Sequence, residues 1–427
     1  MTVTRKALRI VTTARMGAVM AGLLAGWLGW YWLGSSRQPV LLEVRSRVPA
    51  IESGHRVRVN LTSQPARELQ VQVQGEFEVR PVGSPRVLFR SSQNKPIRVR
   101  ANSRGIQWGS RVIAVGRIVI HPAKSPAIWV NDHLYRGDVT VYRRPGGRVM
   151  AVNVIDLEQY IASVVDSEMP LTFPAAARRA QAIVARSYVL YQQQLAGARR
   201  EFDVYASTRS QKYQGYQYRD GRGRKLAGES DSSRQVVQET AGQVALFNGQ
   251  LFPAYYSAVC GGRTTNGPAV FSDAVAALTS VPCQWCQAAE RFRWTRTMSA
   301  DRATVLLKNH FTKNGQAFQQ LKSITTIPDS RDEAAGGSRI QVSDGSHTYI
   351  IDGRKLRSLF SGSVLPSPYF NARLDGGQVI FDGRGHGHGV GLCQWGARGQ
   401  ALAGRSTTQI IEAYYPGVSL VTVDLHH

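Results

Sequence analysis

The chain runs to 427 residues, which excludes a mini-protein and leaves room for two or more folding units of about 100–200 residues. Its 53 lysines and arginines outnumber 29 acidic residues and are spread along the whole chain. Either such a surface seeks anionic partners, whether nucleic acid, anionic lipid or an acidic polymer such as a cell wall, or it is a merely solvated basic surface.

Residues 16–33, MGAVMAGLLAGWLGWYWL, carry no charge, follow a basic start (Arg5, Lys6, Arg9, Arg15) and end in a Trp/Tyr cluster suited to a membrane interface. The basic flank stays in the cytoplasm, so the rest of the chain is expected to be exported and held at the cell membrane by a single pass. A cleaved signal peptide is the competing reading, but no clear A-x-A site follows the run. Export argues against nucleic acid as a partner.

Residues 1–38 are therefore assigned to a cytoplasmic tail and anchor. From 39 to 125 the runs RVRVNL, ELQVQVQGEFEV, PIRVRA and RVIAVGRIVI alternate apolar and polar residues, the mark of antiparallel strands with one wet face. No catalytic constellation lies there, and the stretch reads as a β-rich spacer or wall-facing module. HPAKSP, 121–126, is a turn-rich boundary, and residues 126–427 form the remaining domain.

After further strands (HLYRGDVTVYRR, GRVMAVNVI) the period becomes helical. Leu157, Tyr160, Ile161, Val164 and Val165 share one face, with Asp156 placed as N-cap and Gln159 completing a capping-box pattern. One more step along that stripe lands on Glu168, in VVDSEMPLTFP. A carboxyl there is partly desolvated and near the negative helix end, and both effects favour its protonated form. Pro170 stops the helix, and Pro174 starts a second from Ala175 to about Leu195 with Gly197 as its stop. Arg179 and Arg186 lie seven apart on one face of that helix, where the short turn brings them toward Glu168. A structural ion pair between Glu168 and either arginine, or an ordinary solvated face for the arginines, is the alternative.

Beyond residue 200 strands and loops dominate, with a Gly/Arg/Ser-rich loop at 215–234 and a third helix from Ser299 to about Phe311. The fold class is α+β, β-rich with a central helical pair, preceded by the membrane anchor and the β-strand module. Four cysteines remain. Cys283 and Cys286 form PCQWC, Cys260 sits in AVCGGRT and Cys393 in GLCQWG. A structural zinc held by Cys260, Cys283 and Cys286, its fourth ligand not visible, and pairing into disulfides are both open. GRGHGHGVGLCQWGARG is dense in glycine and holds two histidines and a glutamine. Such a loop permits close backbone approach to a ligand, and from spacing alone it is equally a turn with solvent-facing histidines or a histidine metal pair.

Taken in order, SEMPLTFPAAARRAQAIVARSYVL, AYYSAVCGGRT and GRGHGHGVGLCQWGARGQALAG resemble the SpoIID/LytB family, that of stage II sporulation protein D and the amidase enhancer. The likeness extends over roughly residues 130 to 420 through LYRGDVTVY, NVIDLEQYIASVV, FDVYASTRSQKYQGY, IDGRKLRSLF and YYPG. It implies a lytic transglycosylase that cuts peptide-free peptidoglycan glycan strands between N-acetylmuramic acid and N-acetylglucosamine. The glutamate of the E-M-P motif, here Glu168, would be general acid and then base. The resemblance places Arg179 and Arg186 as basic helix residues able to bind the lactyl carboxylate, and matches Gly261, Gly262 and Thr264 to a G-G-x-T segment. It matches His388 to G-H-G-V-G and Gln394 to Q-W/Y-G-A, both as substrate contacts or loop-ordering groups, whereas His386 falls at a variable position. Tyr256 would stack on a sugar ring, or else pack in a core.

The resemblance requires no cofactor. Some members hold zinc in the segment matching FDVYASTRSQ, but Tyr205, Arg209 and Ser210 stand there instead of ligands, and Cys393 replaces a common serine. Glycoside hydrolysis ordinarily needs two carboxylates; Glu158 and Asp166 lie on other faces of the first helix and Asp203 in a strand-like segment. The rival readings are a non-catalytic amidase enhancer, partnered by a cell-wall amidase, and a glycan-binding scaffold.

Overall fold

Period-two patterning leaves one face of each strand to be buried, and from residue 56 onward it builds two largely antiparallel sheets. The computed structural model describes residues 54–197, 199–328 and 336–423. The expected anchor, residues 16–33, lies outside these, and among the described residues no helix is long and apolar enough to cross a membrane. One sheet has seven strands in the order Val204–Tyr205, Arg56–Asn60, Arg148–Asp156, Asp138–Arg144, Arg117–Pro122, Phe77–Pro81 and Phe89–Ser91. The other has eight, in the order Lys225–Ala227, Gln217–Arg219, His133–Tyr135, Ile128–Val130, Glu68–Val73, Ile97–Asn102, Gly105–Trp108 and Arg111–Ile113.

The expected division at residue 125 does not separate folding units. Arg56–Asn60 pairs with Arg148–Asp156, Arg117–Pro122 with Asp138–Arg144, and Glu68–Val73 with Ile128–Val130. Strands from both sides of 125 thus share both sheets, and HPAKSP turns the chain from one sheet into the other. The residues read as a spacer module are half of the scaffold.

The architecture is mixed α+β and strand-rich, with helices α1 (Leu157–Glu168), α2 (Ala175–Ala196), α3 (Asp231–Glu239), α4 (Ala300–Lys313), α5 (Gly353–Phe360), α6 (Gln394–Leu402) and α7 (Thr407–Tyr414) among the described residues. Asp156 caps α1 by accepting from the amides of Glu158 and Gln159. Its apolar stripe, Tyr160, Ile161, Val164 and Val165, joins the same core as Val57, Val59, Leu69, Val71, Ile118 and Ile120 of the two sheets. α2 ends at Gly197 with φ 60°, and is buried on most sides through Ala177, Ala180, Ala182, Ile183, Ala185 and Val189. Such a helix belongs to an interior. The run read as a loop at 215–234 contains the start of α3, whose serine-rich first turn is closed by a capping box between Ser230 and Ser233.

Residues 293–384 form an arm with a core of its own, drawn entirely from residues between Trp294 and Phe381. Its strands Arg293–Ser299 and Gln378–Arg384 pair antiparallel, Arg293 opposite Arg384, so the arm leaves and rejoins the rest of the fold at one place. Next to that place, Tyr256–Ser257 lies parallel to Leu392–Cys393. The loop glycines make this contact possible. Gly391 sits at φ +71°, and a Cβ there would meet the Tyr255 carbonyl oxygen at 1.9 Å, so the close approach is to the protein's own backbone.

Arg186 is fully buried. Its Nε and Nη2 donate to Glu158 at 2.8 and 2.6 Å, and Nη1 donates to the Gln243 carbonyl at 2.9 Å. It ties α2 to α1 and to the strand Gln243–Phe247 and does not face a ligand. Removing one partner of a buried pair leaves the other uncompensated. Because Glu158 keeps a quarter of its side chain in solvent, Arg186→Met is expected to lower unfolding free energy by about 3 kcal/mol, the low end for such pairs, measured by urea denaturation.

Candidate active site

α1 ends where it does because Met169 precedes Pro170 and adopts an extended conformation (φ −125°, ψ 133°), as pre-proline residues favour. Glu168 is therefore the last helical residue. The segment after residue 210 is laid against it by Gln211, which is buried, accepts from the Tyr160 hydroxyl at 3.0 Å and donates to the Ala185 carbonyl at 3.3 Å. That registration brings the Lys212 amide to Glu168 Oε1 at 2.7 Å. The residue as a whole is half-buried, but its carboxyl is enclosed, and burial raises its pKa above the ordinary carboxylate value. The Lys212 amide and charge, the Gln394 amide and the Tyr256 hydroxyl pull the other way without cancelling that effect.

Glu168 opens into a cleft of about 760 Å³. Tyr188, Tyr255, Tyr256 and Phe271 supply aromatic surface, and Arg209, Arg354 and Arg357 supply charge. Glu168 is the only acidic residue among the described cleft-lining residues. The Tyr256 hydroxyl is buried without a hydrogen-bond partner, as is the Ser257 hydroxyl beside it. Burial drives the Tyr256 phenol well above its usual pKa, with the Glu168 charge adding to the effect. Arg357 donates Nε to the Leu365 carbonyl at 2.9 Å, and burial lowers its pKa.

Gln394 is buried at the start of α6, lines the cleft and donates to Gln181 Oε1 at 3.2 Å. His388 also lines it; Nδ1 accepts from the Val390 amide at 3.1 Å, and the ring stands edge-on to Phe271 and Tyr255. Burial, then the Arg357 charge, hold its pKa down at about 4, so the imidazole is neutral at neutral pH. His386 is held at about 4 as well, by burial and by Arg291, whose Nη1 lies 3.1 Å from Nε2. Both histidines are partly buried and line the cleft.

Arg179 and Arg186 do not line the cleft. Arg179 pairs with Glu239 of α3 at 2.5 Å and Arg186 with Glu158. Neither makes an ion pair with Glu168. Asp166 is held by the buried Arg178 and Asp203 by Arg58 at 2.5 Å, while Asp273, behind the cleft-lining Tyr255, accepts from that tyrosine's hydroxyl at 2.8 Å. The cleft's cations come from elsewhere, Arg209 from the STRSQ loop and Arg354 and Arg357 from α5 on the arm. Their signal in the sequence was IDGRKLRSLF, where two arginines three apart share a helix face; only the tertiary path of the arm shows that this face meets Glu168. The four cysteines, Cys393 included, are all buried and come together in one cluster, none joined to another by a disulfide.

The family model of the stage II sporulation protein, SpoIID, matches residues 145–247, the stretch that holds α1, α2 and Glu168. An uncharacterized protein of Brachyspira hyodysenteriae is 31% identical over 273 residues, 64% of this chain and 68% of that protein. The chain belongs to the SpoIID family. Stage II sporulation protein D of Bacillus subtilis is 28% identical over 303 residues, 67% of this chain and 79% of that protein. The amidase enhancer of the same organism is 26% identical over 301 residues, 61% of this chain and 40% of that one. A second model, of a domain of unknown function, matches residues 282–391. In this SpoIID protein that match begins beside Cys283 and spans the arm.

A carboxyl whose folded pKa is raised stabilises the fold fully below its unfolded pKa and loses that contribution as pH rises through the folded value. Glu168→Gln cannot ionise. Its melting temperature is expected to exceed that of the wild type at pH 8, with the difference shrinking toward zero near pH 4, as measured by thermal denaturation across pH.

Proposed function

We propose that this protein acts on the cell wall as a lytic transglycosylase, a lyase that cleaves peptide-free glycan strands between N-acetylmuramic acid and N-acetylglucosamine and leaves 1,6-anhydro-muramyl ends. The observation that supports the reading best is the desolvated carboxyl of Glu168, the only acidic group among the described residues lining a cleft whose other charges are positive. Hydrolysis ordinarily calls on a second carboxylate as nucleophile or base. Here the substrate supplies the nucleophile. Glu168, in its protonated form, gives its proton to the glycosidic oxygen as the bond to the anomeric carbon breaks; the resulting carboxylate takes the proton of the muramyl C6 hydroxyl as that oxygen closes on the same carbon.

Arg357, with Arg209 and Arg354, would receive the lactyl carboxylate that peptide removal exposes, since guanidinium groups match carboxylates in geometry and charge. Tyr256 and Tyr255 offer rings for sugar stacking. Neutral His388 and Gln394 offer uncharged polar contacts that leave the Glu168 proton in place. Export and retention at the membrane by residues 16–33 belong to the same reading, as does the basic surface that keeps the enzyme near an anionic wall.

The test is incubation of the wild type and Glu168→Gln with amidase-treated glycan strands, with products read by mass spectrometry. Anhydro ends from the wild type, with a rate about 10²–10⁴-fold lower for Glu168→Gln, are expected. The wild-type kcat/KM should fall with rising pH at a higher pH than an ordinary glutamate would set. Arg357→Ala is expected to raise KM by about tenfold or more, the worth of one charged hydrogen bond. The relative named amidase enhancer supports a second reading, in which the protein binds glycan and stimulates a partner amidase. Strand binding without cleavage by the wild type, together with faster amidase turnover in its presence, would establish that reading instead.

A further inference from the structure

Cys260, Cys283, Cys286 and Cys393 come from three separate stretches of chain, yet their Sγ atoms all lie within 4.8 Å of one another. Cys260 and Cys286 Sγ are 3.6 Å apart. Four thiolates around one tetrahedral zinc, each at about 2.3 Å, sit about 3.8 Å from one another, so the cluster already has nearly the dimensions of such a site. The surroundings also favour thiolate sulfur. Cys393 Sγ accepts from the backbone amides of Cys260 and Gly396, both at 3.3 Å, and it stands at the N-cap of α6, where the helix dipole favours negative charge. The Tyr414 hydroxyl lies 3.2 Å from Cys283 Sγ. Gly396 leaves the room for this, since a Cβ there would come within 2.6 Å of Cys283 Sγ and 1.9 Å of the Tyr414 oxygen.

We propose that these four cysteines bind one structural zinc ion, with Cys393 as the ligand that completes the set. Binding exchanges four thiol protons for one divalent cation. The resulting excess of negative charge faces the amides of residues 260 and 396, the Tyr414 hydroxyl and the start of α6, the kind of outer hydrogen bonding that orients metal ligands. Among the described residues the cluster holds these four cysteines and no histidine or carboxylate, a closed set that suits a structural role.

Its place in the fold says what it holds. Cys283 and Cys286 immediately precede the arm, Cys393 follows its return, and Cys260 lies on the strand-loop that carries Tyr256. The ion would fasten the root of the arm to the Glu168 side of the cleft and fix Gln394, the neighbour of Cys393. This role is independent of whether the cleft cleaves or only binds glycan.

The test uses the full chain purified without chelator. Elemental analysis by mass spectrometry is expected to find one zinc per chain, and four thiols should titrate only after denaturation with chelator. Cobalt substitution should give the intense thiolate-to-metal absorbance of a tetrahedral site. Cys393→Ser should lose most of the zinc, and hydrogen exchange should rise at 283–286 and across α6. If that variant does not fold, wild-type stoichiometry and the cobalt spectrum still decide. A zinc-free wild-type chain, an intact mass short of the hydrogens lost to disulfides, iron in place of zinc, or a full zinc equivalent retained by Cys393→Ser would each overturn the assignment.

Discussion

A single proline restricts where α1 can end, and the cleft is arranged around that stop. Pro170 forces Met169 out of the helical region, so the helix terminates with a carboxyl at the negative end of its dipole and inside the fold. Neither circumstance suits an ionised glutamate. The Lys212 amide, set by Gln211, is its only direct hydrogen bond among the described residues; the Lys212 charge, the Gln394 amide and the Tyr256 hydroxyl act on it more weakly than burial does. The protein keeps one acid partly unsatisfied while satisfying the others nearby.

Glu158, Asp166 and Asp203 sit on the same or adjoining elements and each is bound by an arginine. Those pairs serve packing, since a buried charge without a partner is far more costly than a buried pair. They also remove three carboxylates from chemical competition with Glu168. The arginines nearest in sequence to the acid are consumed in this way, and the cations that do reach the cleft arrive on the STRSQ loop and on α5, about forty and nearly two hundred residues further along the chain.

What was legible in the sequence follows from the range of the interactions involved. The α1–α2 pair, the stop at Pro170 and the caps at Asp156 and Gly197 are set by neighbours a few residues apart, and periodicity located them closely. The strands from 56 to 122 were equally plain, but their partners were not. Alternation says that a face is buried and is silent on which strand covers it, so the division at 125 dissolved once Arg56–Asn60 paired with Arg148–Asp156. Arg179 and Arg186 were placed on the correct helix; which acids they would meet depended on α3 and on the Glu158 face of α1. Cys393 looked like an isolated departure because its three companions lie more than a hundred residues upstream. The loop glycines pointed to close approach, which occurs, although the surface approached is the chain itself.

The arm from 293 to 384 has a different kind of consequence. Its two ends emerge side by side, and its apolar interior borrows nothing from the sheets or from α1 and α2. Sequence can therefore drift, lengthen or be exchanged within it while the acid stays fixed to a scaffold that does not register the change. Since α5 brings two of the three cleft arginines, such exchange would change the cleft's charge without rebuilding the end that holds Glu168. The cations of the cleft and its acid are separately heritable.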